Sequence, residues 1–445
     1  IICSHSFLKI MLLIYLSKES SRCNYVFDLI FKNEFGIEYS VTTDITAFQE
    51  YSEEKINYSD SKIADDFFIK ASSLLFEKEI KKKEIKVEQK HETKVLFPND
   101  KDDLGFDIFS AVFYLISRYE EYLPFTADEF GRFKAEDSFA FKNDFLQLPI
   151  VDIWINIFKK ALQNNFPLLQ IKSTVFNAIV TYDIDVAYKY RGRDFVRTVG
   201  SLLKDIALFK TKNIRERICV IREHQKDPWD VYVYLMKTIL KNNLNSIFFF
   251  LLADKSAHDR NLNYQNAAMK GLVFDVGNFS EIGIHPSFYS SSFPKKILME
   301  KERLENLSTK KITKSRQHYL KFILPDTYNS LLAAGITEDY SMGFSGRPGF
   351  RAGTCKPFYF YDLKNEKATE LKLFPITFME STVMNNSSNA DEAFQKIASL
   401  LEEVKQVKGT FISLWHNHTI SDTAEYKEWK NLHEKMMQKL VDSLR

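Results

Sequence analysis

Two patterns of apolar residues alternate along the second part of the chain. Short runs rich in β-branched and aromatic side chains predict strands, and apolar residues three or four positions apart predict helices. Predicted strands lie at 176–182, 246–253, 281–286, 318–324, from 337, at 374–380 and at 409–416, and predicted helices lie at 194–209, 229–240, 294–307, 326–334, 390–407 and 423–444. Because strands separated by helices are typical of parallel βα units, we predict an α/β fold, with a βα barrel, complete or incomplete, as its closure.

The first part of the chain predicts a smaller domain. An apolar run near the start, FLKIMLLIYL, predicts a first strand, and the alternating segment GIEYSVTTDI predicts another. The helices predicted there lie at 24–35, 107–123 and 151–166. Pro167 ends the last of these helices, and the regular alternation begins only after it. We therefore predict an N-terminal α/β or α+β domain over residues 1–170 and a βα-barrel domain over residues 171–445.

Composition and charge exclude some classes of partner. The 445 residues carry 61 basic and 59 acidic side chains, a net charge of +2, so no overall field favours nucleic acid. The apolar run near the start is too short to span a bilayer and lacks the basic residues of a signal peptide, so we expect no membrane span. The four cysteines form no CxxC pair, which fits a reducing compartment. We expect a cytoplasmic protein, and the oligomeric state stays open.

Two carboxylates follow the strand predicted at 176–182, in the segment TYDID. In an extended chain residues i and i+2 point the same way, so Asp183 and Asp185 face one spot. Like charges held together favour a cation, a proton or a hydrogen-bond network between them. The sequence therefore predicts a site at this strand end.

Polar residues recur beside the other predicted strands. His285, Glu380, His416 and His418 end or follow their strands, and Arg316 and His318 flank the start of the strand predicted at 318–324. In a βα barrel the carboxyl ends of the strands meet at one face, so we expect these side chains to converge. Carboxylates and imidazoles without cysteine suit zinc, with nickel, cobalt, manganese and iron as alternatives.

The same residues predict hydrolytic chemistry. A cation held by Asp185 and His285 would lower the pKa of a water molecule. Asp183 could take the proton of that water, and His416 could protonate a leaving group. These parts suffice for hydrolysis of an amide or an ester.

Three segments, TYDID, EIGIHPSFYS and FISLWHN, resemble motifs of the polysaccharide deacetylases of carbohydrate esterase family 4, which have the NodB-homology fold. The resemblance covers residue 176 to the C-terminus. It implies a distorted βα barrel in which Asp183 is the general base and Asp185 is a metal ligand. It also implies that His285 is the first histidine of the second motif and that His416 is the general acid.

The arginine motif of this family has two candidates in the chain. Arg316 in SRQHYLKF is the better match, and Arg351 in GFRAGT is its competitor. More narrowly, the segments HPS, RQHYLKF, DYSMGF and GFRAGTCKPFYFYDL, in this order, resemble a Bacteroidetes-type branch that carries its own N-terminal domain of unknown function.

The sequence departs from the family at one position. The family has another histidine four residues after the first, whereas this chain has Tyr289 there. A third ligand could come from elsewhere, two protein ligands and waters could hold the metal, or the site could have lost its metal. Candidates for a third ligand are His318, His258 and His418, of which we predict His318. The residues predicted to line the substrate site are Tyr289, Arg351, Trp415 and His418.

We therefore predict a metal-dependent hydrolase of C–N bonds. Its most concrete form removes the acetyl group from an N-acetylated sugar or glycan precursor, with an acetylated carbohydrate as the partner. Two alternatives stay open at this point. One is a catalytically silent relative that binds or scaffolds glycans, and the other is a metal-independent hydrolase of a cyclic amide or imide.

Overall fold

The computed structural model describes residues 11–64 and 66–445. Residues 7–10 of the first predicted strand lie outside the described residues. The strands are β1 Leu12–Leu16, β2 Tyr39–Thr42, β3 Lys55–Ser59, β4 Phe67–Lys70, β5 Val87–Lys90, β6 Thr93–Leu96, β7 Asn177–Ile184, β8 Asn245–Phe250, β9 Glu281–Ile284, β10 Lys314–Ser315, β11 Glu338–Asp339, β12 Phe358–Asp362, β13 Lys367–Leu373, β14 Phe378–Met379 and β15 Thr410–His416. The helices are α1 Ser21–Phe27, α2 Ile45–Glu50, α3 Ile108–Ile116, α4 Phe139–Lys142, α5 Ile150–Asn165, α6 Phe195–Ala207, α7 Thr211–Ile221, α8 Tyr232–Asn242, α9 Ala267–Gly277, α10 Lys295–Ser308, α11 Asp326–Ala333, α12 Glu380–Asn385, α13 Ala390–Gln406 and α14 Lys427–Leu444, and a π-helix over Asp28–Phe35 continues α1.

The first sheet contains four parallel strands in the order β2-β1-β3-β4. β5 and β6 form a separate antiparallel hairpin. Every residue of α3 is buried, as its apolar sequence IFSAVFYLI leads one to expect. Phe109 of α3 packs edge-to-face against Phe27 of α1 and Phe158 of α5, so aromatic contacts tie these three helices together.

The second sheet has nine strands in the order β12-β13-β11-β10-β9-β8-β7-β15-β14. All neighbours in it are parallel except β12 and β13. In the register of the sheet, Asp183 of β7 pairs with His416 of β15 on one side and with Phe249 of β8 on the other. Two of the residues predicted to act in catalysis therefore lie side by side at the carboxyl ends of neighbouring strands.

The second sheet curls strongly towards one face. The rings of Phe249 on β8 and Tyr340 after β11 are 5.4 Å apart, whereas three strand spacings on a flat sheet measure about 14 Å. A second apolar cluster fills the concave side. Its buried members are Ile247, Phe249, Leu320, Tyr340, Ile376, Ile412 and Leu414.

The curled sheet does not close into a complete barrel. β12 and β14 are its edges, and no strand pairing joins them within the two described ranges. β10, β11 and β14 have only two residues each, so few hydrogen bonds hold this part of the sheet. The predicted α/β class is confirmed, and the distorted barrel stays a prediction.

One predicted strand is wrong. The sequence predicts a strand over 318–324, but His318–Leu320 forms a single turn of 3₁₀ helix that follows β10. Tyr319 and Leu320 have φ angles of +63° and +51°, which no strand allows. The hairpin of β12 and β13 and the helix α7 lie in segments for which the sequence predicts no element.

Residues of the first part of the chain pack tightly on the second sheet. The Arg351 guanidinium forms a buried ion pair with Glu121 at 2.6 Å. The Asp152 carboxylate of α5 accepts hydrogen bonds from the Thr354 hydroxyl and the Cys355 backbone N–H. One large apolar core cluster includes residues of both parts of the chain. Among the described residues, no helix has both the length and the apolar character needed to cross a membrane.

Candidate functional site

The candidate site lies at the carboxyl end of β7. Asp183 is buried there, and Asp185 follows at the end of the strand. His285 comes after β9, two strands away, and its Nε2 lies 3.6 Å from Asp183 Oδ2 and 3.1 Å from Asp185 Oδ1. Both carboxylates therefore face the same imidazole, as the spacing of the two aspartates predicts.

Three donor groups form a compact cluster. Asp185, His285 and His318 each offer one ligand atom, and these atoms lie within 4.8 Å of one another. His318 Nε2 lies 3.5 Å from Asp185 Oδ2. Of the three histidines considered as a third ligand, His318 is the one that the structure brings into this cluster.

Hydrogen bonds orient both imidazoles of the cluster. His285 Nδ1 donates to the backbone carbonyl of Arg316, and His318 Nδ1 donates to Asp259 Oδ1 at 2.9 Å. A carbonyl or carboxylate can only accept, so each Nδ1 carries a proton. Each Nε2 is then turned towards Asp185, an arrangement that is usual for histidines that bind metals. Burial lowers the pKa of His318, but Asp185 and Asp259 outweigh it and raise that pKa to about 9, so a cation that binds here displaces the proton of His318 Nε2.

Sequence reasoning missed Asp259. It follows β8 in the loop ADKSAHD, and its carboxylate also accepts hydrogen bonds from the Phe288 backbone N–H and the Ser256 hydroxyl. Burial raises the pKa of Asp259, but the hydrogen bond from His318 and its other donors outweigh burial and lower that pKa overall. The sequence does offer one indication of Asp259: it is a carboxylate in the loop after a strand, and such a loop lies at the same face as the other strand ends.

The cluster fits a divalent cation. Asp185 Oδ1 is buried and accepts no hydrogen bond, so an acceptor facing the cluster is left without a donor. Burial raises the pKa of Asp185, but His318 and His416 outweigh it and hold that pKa well below its usual value. Two imidazole nitrogens and one carboxylate oxygen suit zinc and the neighbouring transition metals better than magnesium or calcium.

Arg316 holds Asp183 in place. The guanidinium is fully buried, and its Nη1 donates to Asp183 Oδ1 at 2.9 Å and to the Thr181 hydroxyl at 2.6 Å. Its Nε donates to the Tyr340 carbonyl, and the group stacks on the Phe249 ring at 4.6 Å. Of the two candidate arginines, the structure thus places Arg316 beside Asp183.

His416 is paired with a buried carboxylate. His416 Nδ1 lies 2.6 Å from Glu380 Oε1, and its Nε2 lies 3.4 Å from Asp185 Oδ2. Burial disfavours the imidazolium, but the negative charges of Glu380 and Asp185 outweigh it and raise the pKa of His416 to about 10. An imidazole that keeps a proton on Nε2, facing the cluster, is equipped to donate it.

The turn that carries His318 is held by the first part of the chain. Tyr319 has a φ of +63°, which a bulky side chain rarely adopts. The Arg132 guanidinium donates to the Tyr319 carbonyl at 2.8 Å and is itself fixed by Asp128 at 2.7 Å. The Phe130 ring lies 5.0 Å from the Tyr319 ring. The segment from Asp128 to Arg132 therefore supports the backbone next to His318.

Two residues predicted to bind substrate lie away from the site. Trp415 is fully buried and packs against Phe378 and His433, because successive residues of β15 point to opposite faces and His416 faces the cluster. Arg351 is buried against Glu121, with its guanidinium 4.2 Å from the Phe322 ring. These two expectations are corrected by the burial of both side chains.

The remaining predicted residues lie around the cluster without joining it. His418 is half-buried with its ring 5.6 Å from that of His416, and burial together with His416 lowers the pKa of His418 to about 4. Tyr289 is 37% exposed, and its ring lies 5.9 Å from that of His258. His258 stacks on Phe288 at 3.9 Å.

Residues 12–167 match a family of unknown function, DUF7033. No curated protein matches the chain. The chain is partly similar to the solved structure of an assigned polysaccharide deacetylase from Mycobacterium smegmatis, with 12% identity over 60% of this chain and 87% of that chain and a TM-score of 0.38. It is also partly similar to that of a polysaccharide deacetylase from Bacillus cereus, with 13% identity over 60% of this chain and 89% of that chain and a TM-score of 0.30. A third partly similar structure is that of a family 4 carbohydrate esterase pseudoenzyme from Bacillus anthracis, with 9% identity over 59% of this chain and 62% of that chain and a TM-score of 0.30. Likeness at this level leaves the chemistry to be argued from the residues of the chain itself.

Proposed function

We propose that the chain is a metal-dependent hydrolase of C–N bonds that removes the acetyl group from an N-acetylated sugar or glycan precursor. One observation carries the proposal: two imidazoles and a carboxylate converge, with a carboxylate held by arginine and an imidazole held by glutamate beside them. Asp183 lies within 3.6 Å and His416 within 3.4 Å of members of the cluster. A base and an acid at such distances can serve one reacting group.

The metal-binding role falls to Asp185, His285 and His318. Their donor atoms are close enough to share one ion after small side-chain adjustments. A bound divalent cation would supply Lewis acidity, which polarises a carbonyl group and lowers the pKa of water. Zinc is the proposed ion, and nickel, cobalt, manganese and iron suit the same donors.

The proton transfers fall to residues that the fold holds rigidly. Asp183 would accept the proton of the attacking water, and Arg316 keeps its carboxylate in one orientation. His416 would give its Nε2 proton to the leaving amine, and Glu380 stabilises the imidazolium until then. The burial of Arg316 and Glu380 excludes water from the far side of both groups.

An acetylated carbohydrate is the proposed substrate. Tyr319, next to His318 and half-buried, presents an aromatic ring beside the cluster, and Phe130 lies against that ring. Aromatic side chains offer flat apolar surfaces of the kind that sugar rings bind against. Tyr289 and His418 are proposed as further contacts at the edge of the site.

Metal analysis with matched variants tests the ligand assignment. We expect the purified chain, equilibrated with zinc and then freed of excess, to retain one ion, and the variants Asp185→Ala and His318→Ala to lose it. His258→Ala is the control, because this histidine lies nearby but outside the cluster. Retention of zinc by the His318→Ala variant would refute the assignment.

Acetate release from N-acetylglucosamine oligomers tests the reaction. The zinc-loaded chain should release acetate, and Asp183→Asn should lower the rate by about a hundredfold or more while zinc stays bound. Binding of metal and oligosaccharide without acetate release would instead identify a silent relative. Activity that survives removal of the metal would identify a metal-independent hydrolase.

A further inference from the structure

The hairpin of α6 and α7 exposes a group of large apolar side chains. They are Leu203, Ile206, Leu208, Phe209, Ile218 and Ile221. Phe209, in the turn between the two helices, is 89% exposed. Proteins seldom leave so many bulky apolar side chains of one motif in water, so this surface indicates a partner.

The exposed charged side chains of the same hairpin are mostly basic. Between residues 198 and 223, five of them are basic, Lys204, Lys210, Lys212, Arg215 and Arg222, and one is acidic, Glu223. The other two acidic residues turn inward: Asp205 pairs with buried Arg217, and Glu216 pairs with Lys189. The exposed surface of the hairpin is therefore cationic, although the chain as a whole has a net charge of only +2.

The hairpin is a defined structure. The Arg217 guanidinium donates to Asp205 of α6 and to the Ser201 hydroxyl, so α7 is fastened to α6. The same guanidinium lies 4.8 Å from the Tyr190 ring, which connects the hairpin to the loop that leaves β7. The apolar side chains are thus held outside by polar contacts within the hairpin.

We propose that the α6–α7 hairpin docks the protein onto an anionic lipid surface. Apolar and cationic residues are interleaved on α7, where Arg215, Ile218 and Arg222 follow one another at three and four residues and so share one face. Such interleaving suits a bilayer interface, where acyl chains and anionic headgroups are reached from one surface. Leu208 and Phe209, at the turn, enter the lipid first.

The hairpin is joined to the strand that carries the candidate site. The loop of residues 186–194 joins the end of β7, which carries the two aspartates, to α6. The Asp227 carboxylate accepts hydrogen bonds from the backbone N–H groups of Lys189, Tyr190 and Arg191, and these bonds fix the conformation of the loop. The docking proposal does not depend on the proposed function.

Vesicle sedimentation tests the proposal with the full chain. We expect binding to phosphatidylcholine vesicles that contain phosphatidylglycerol, little binding to phosphatidylcholine alone, and a decrease with added salt. Phe209→Asn removes the apolar ring at a φ of +53° that asparagine tolerates, and it should weaken binding about tenfold. The double variant Lys210→Glu/Lys212→Glu should abolish it.

Matched controls separate docking by the hairpin from non-specific adsorption to vesicles. Phe293→Asn changes a ring that is 59% exposed outside the hairpin, and Lys78→Glu/Lys82→Glu reverses two exposed charges near the first sheet. Both should bind like the unmodified chain. The proposal is overturned if anionic vesicles bind no protein or if the hairpin variants bind normally. It is also overturned if those variants change only the oligomeric state in sedimentation velocity, which would make the hairpin an interface between copies.

Discussion

At the scale of single residues, the three histidines of the site share one orientation. His285, His318 and His416 each use Nδ1 for a carbonyl or a carboxylate and turn Nε2 towards Asp185. Burial lowers the pKa of both His318 and His416, but the carboxylates beside them outweigh it and raise the two pKa values to about 9 and about 10. Position and not the partner therefore separates the two proposed tasks, since His318 lies among the three grouped donor atoms and His416 lies beside them, 3.4 Å from Asp185.

His433 shows how a buried histidine behaves without such a partner. It lies behind β7, between the hydroxyl groups of Tyr182 and Tyr234, and burial together with Lys430 lowers its pKa to about 3. In the unfolded chain a histidine takes up its proton near pH 6.5. Above about pH 6.5 the ring is neutral in both states, and its titration does not affect stability. As the pH falls from about 6.5 towards 3, only the unfolded chain takes up the proton, so the free energy of unfolding falls by about 1.4 kcal/mol per pH unit.

Urea unfolding at a series of pH values measures this loss. The variant His433→Gln can keep both tyrosine contacts but has no proton to gain, so its free energy of unfolding should fall less steeply between pH 6 and pH 4. The carboxylates of the protein titrate equally in both proteins, so the difference between the two curves isolates His433. Identical curves would show that His433 does not contribute.

At the scale of elements, the turn after β10 is the part of the site that most needs outside support. His318 is followed by Tyr319 and Leu320, both with positive φ. Residues in this region cost on the order of 1–3 kcal/mol and persist only where their surroundings hold them. Arg132, which is far away in sequence, supplies a hydrogen bond to this turn.

Arg132→Ala should weaken metal binding more than it weakens the fold. Without the hydrogen bond to the Tyr319 carbonyl, His318 is held less firmly, and we expect the Kd for zinc to rise about tenfold. Competition with a chromophoric chelator measures that Kd, and urea unfolding of the metal-free protein measures stability. Arg347→Ala, which breaks an exposed pair with Glu136, is the control and should leave the Kd unchanged. An unchanged Kd in Arg132→Ala would contradict this role.

The sequence predicts the direction of side chains on the strands of the site better than it predicts the turn that carries His318. The alternation of β7 predicts that Asp183 and Asp185 face one spot, and the same rule, applied to β15, would have turned Trp415 away from His416. His318 was predicted as a ligand from a segment read as a strand, whereas its position depends on a positive-φ turn and on Arg132. Contacts between residues so distant in sequence leave no local pattern.

At the scale of the whole molecule, buried ion pairs join the first part of the chain to the second sheet. Burial raises the pKa of Glu121, but Arg351 and Arg118 outweigh it and lower that pKa overall. Both arginines contact the same carboxylate, at 2.6 Å and 2.8 Å. Sequence reasoning read Arg351 as a site residue because GFRAGT resembles a motif, and only the packing of the two parts reveals its partner.

Arg351→Ala should destabilise the protein without removing metal. Loss of one partner from a buried pair costs about 3 kcal/mol, at the lower end of the usual range here because Glu121 keeps Arg118. Urea unfolding measures the loss, and the zinc content of the folded variant should stay at that of the unmodified chain. Arg347→Ala again serves as control, since an exposed pair contributes under about 1 kcal/mol. A variant with unchanged stability but lost activity would return Arg351 to the site.

We propose that Asp185, His285 and His318 hold one divalent cation, with Asp183 and His416 on either side of it as the proposed base and acid. A crystal structure of the zinc-loaded chain, with anomalous scattering recorded at the zinc edge, tests this arrangement. We expect one anomalous peak within about 2.0–2.2 Å of a carboxylate oxygen of Asp185 and of Nε2 of both histidines. The absence of a peak there, or a peak held by other residues, would contradict it.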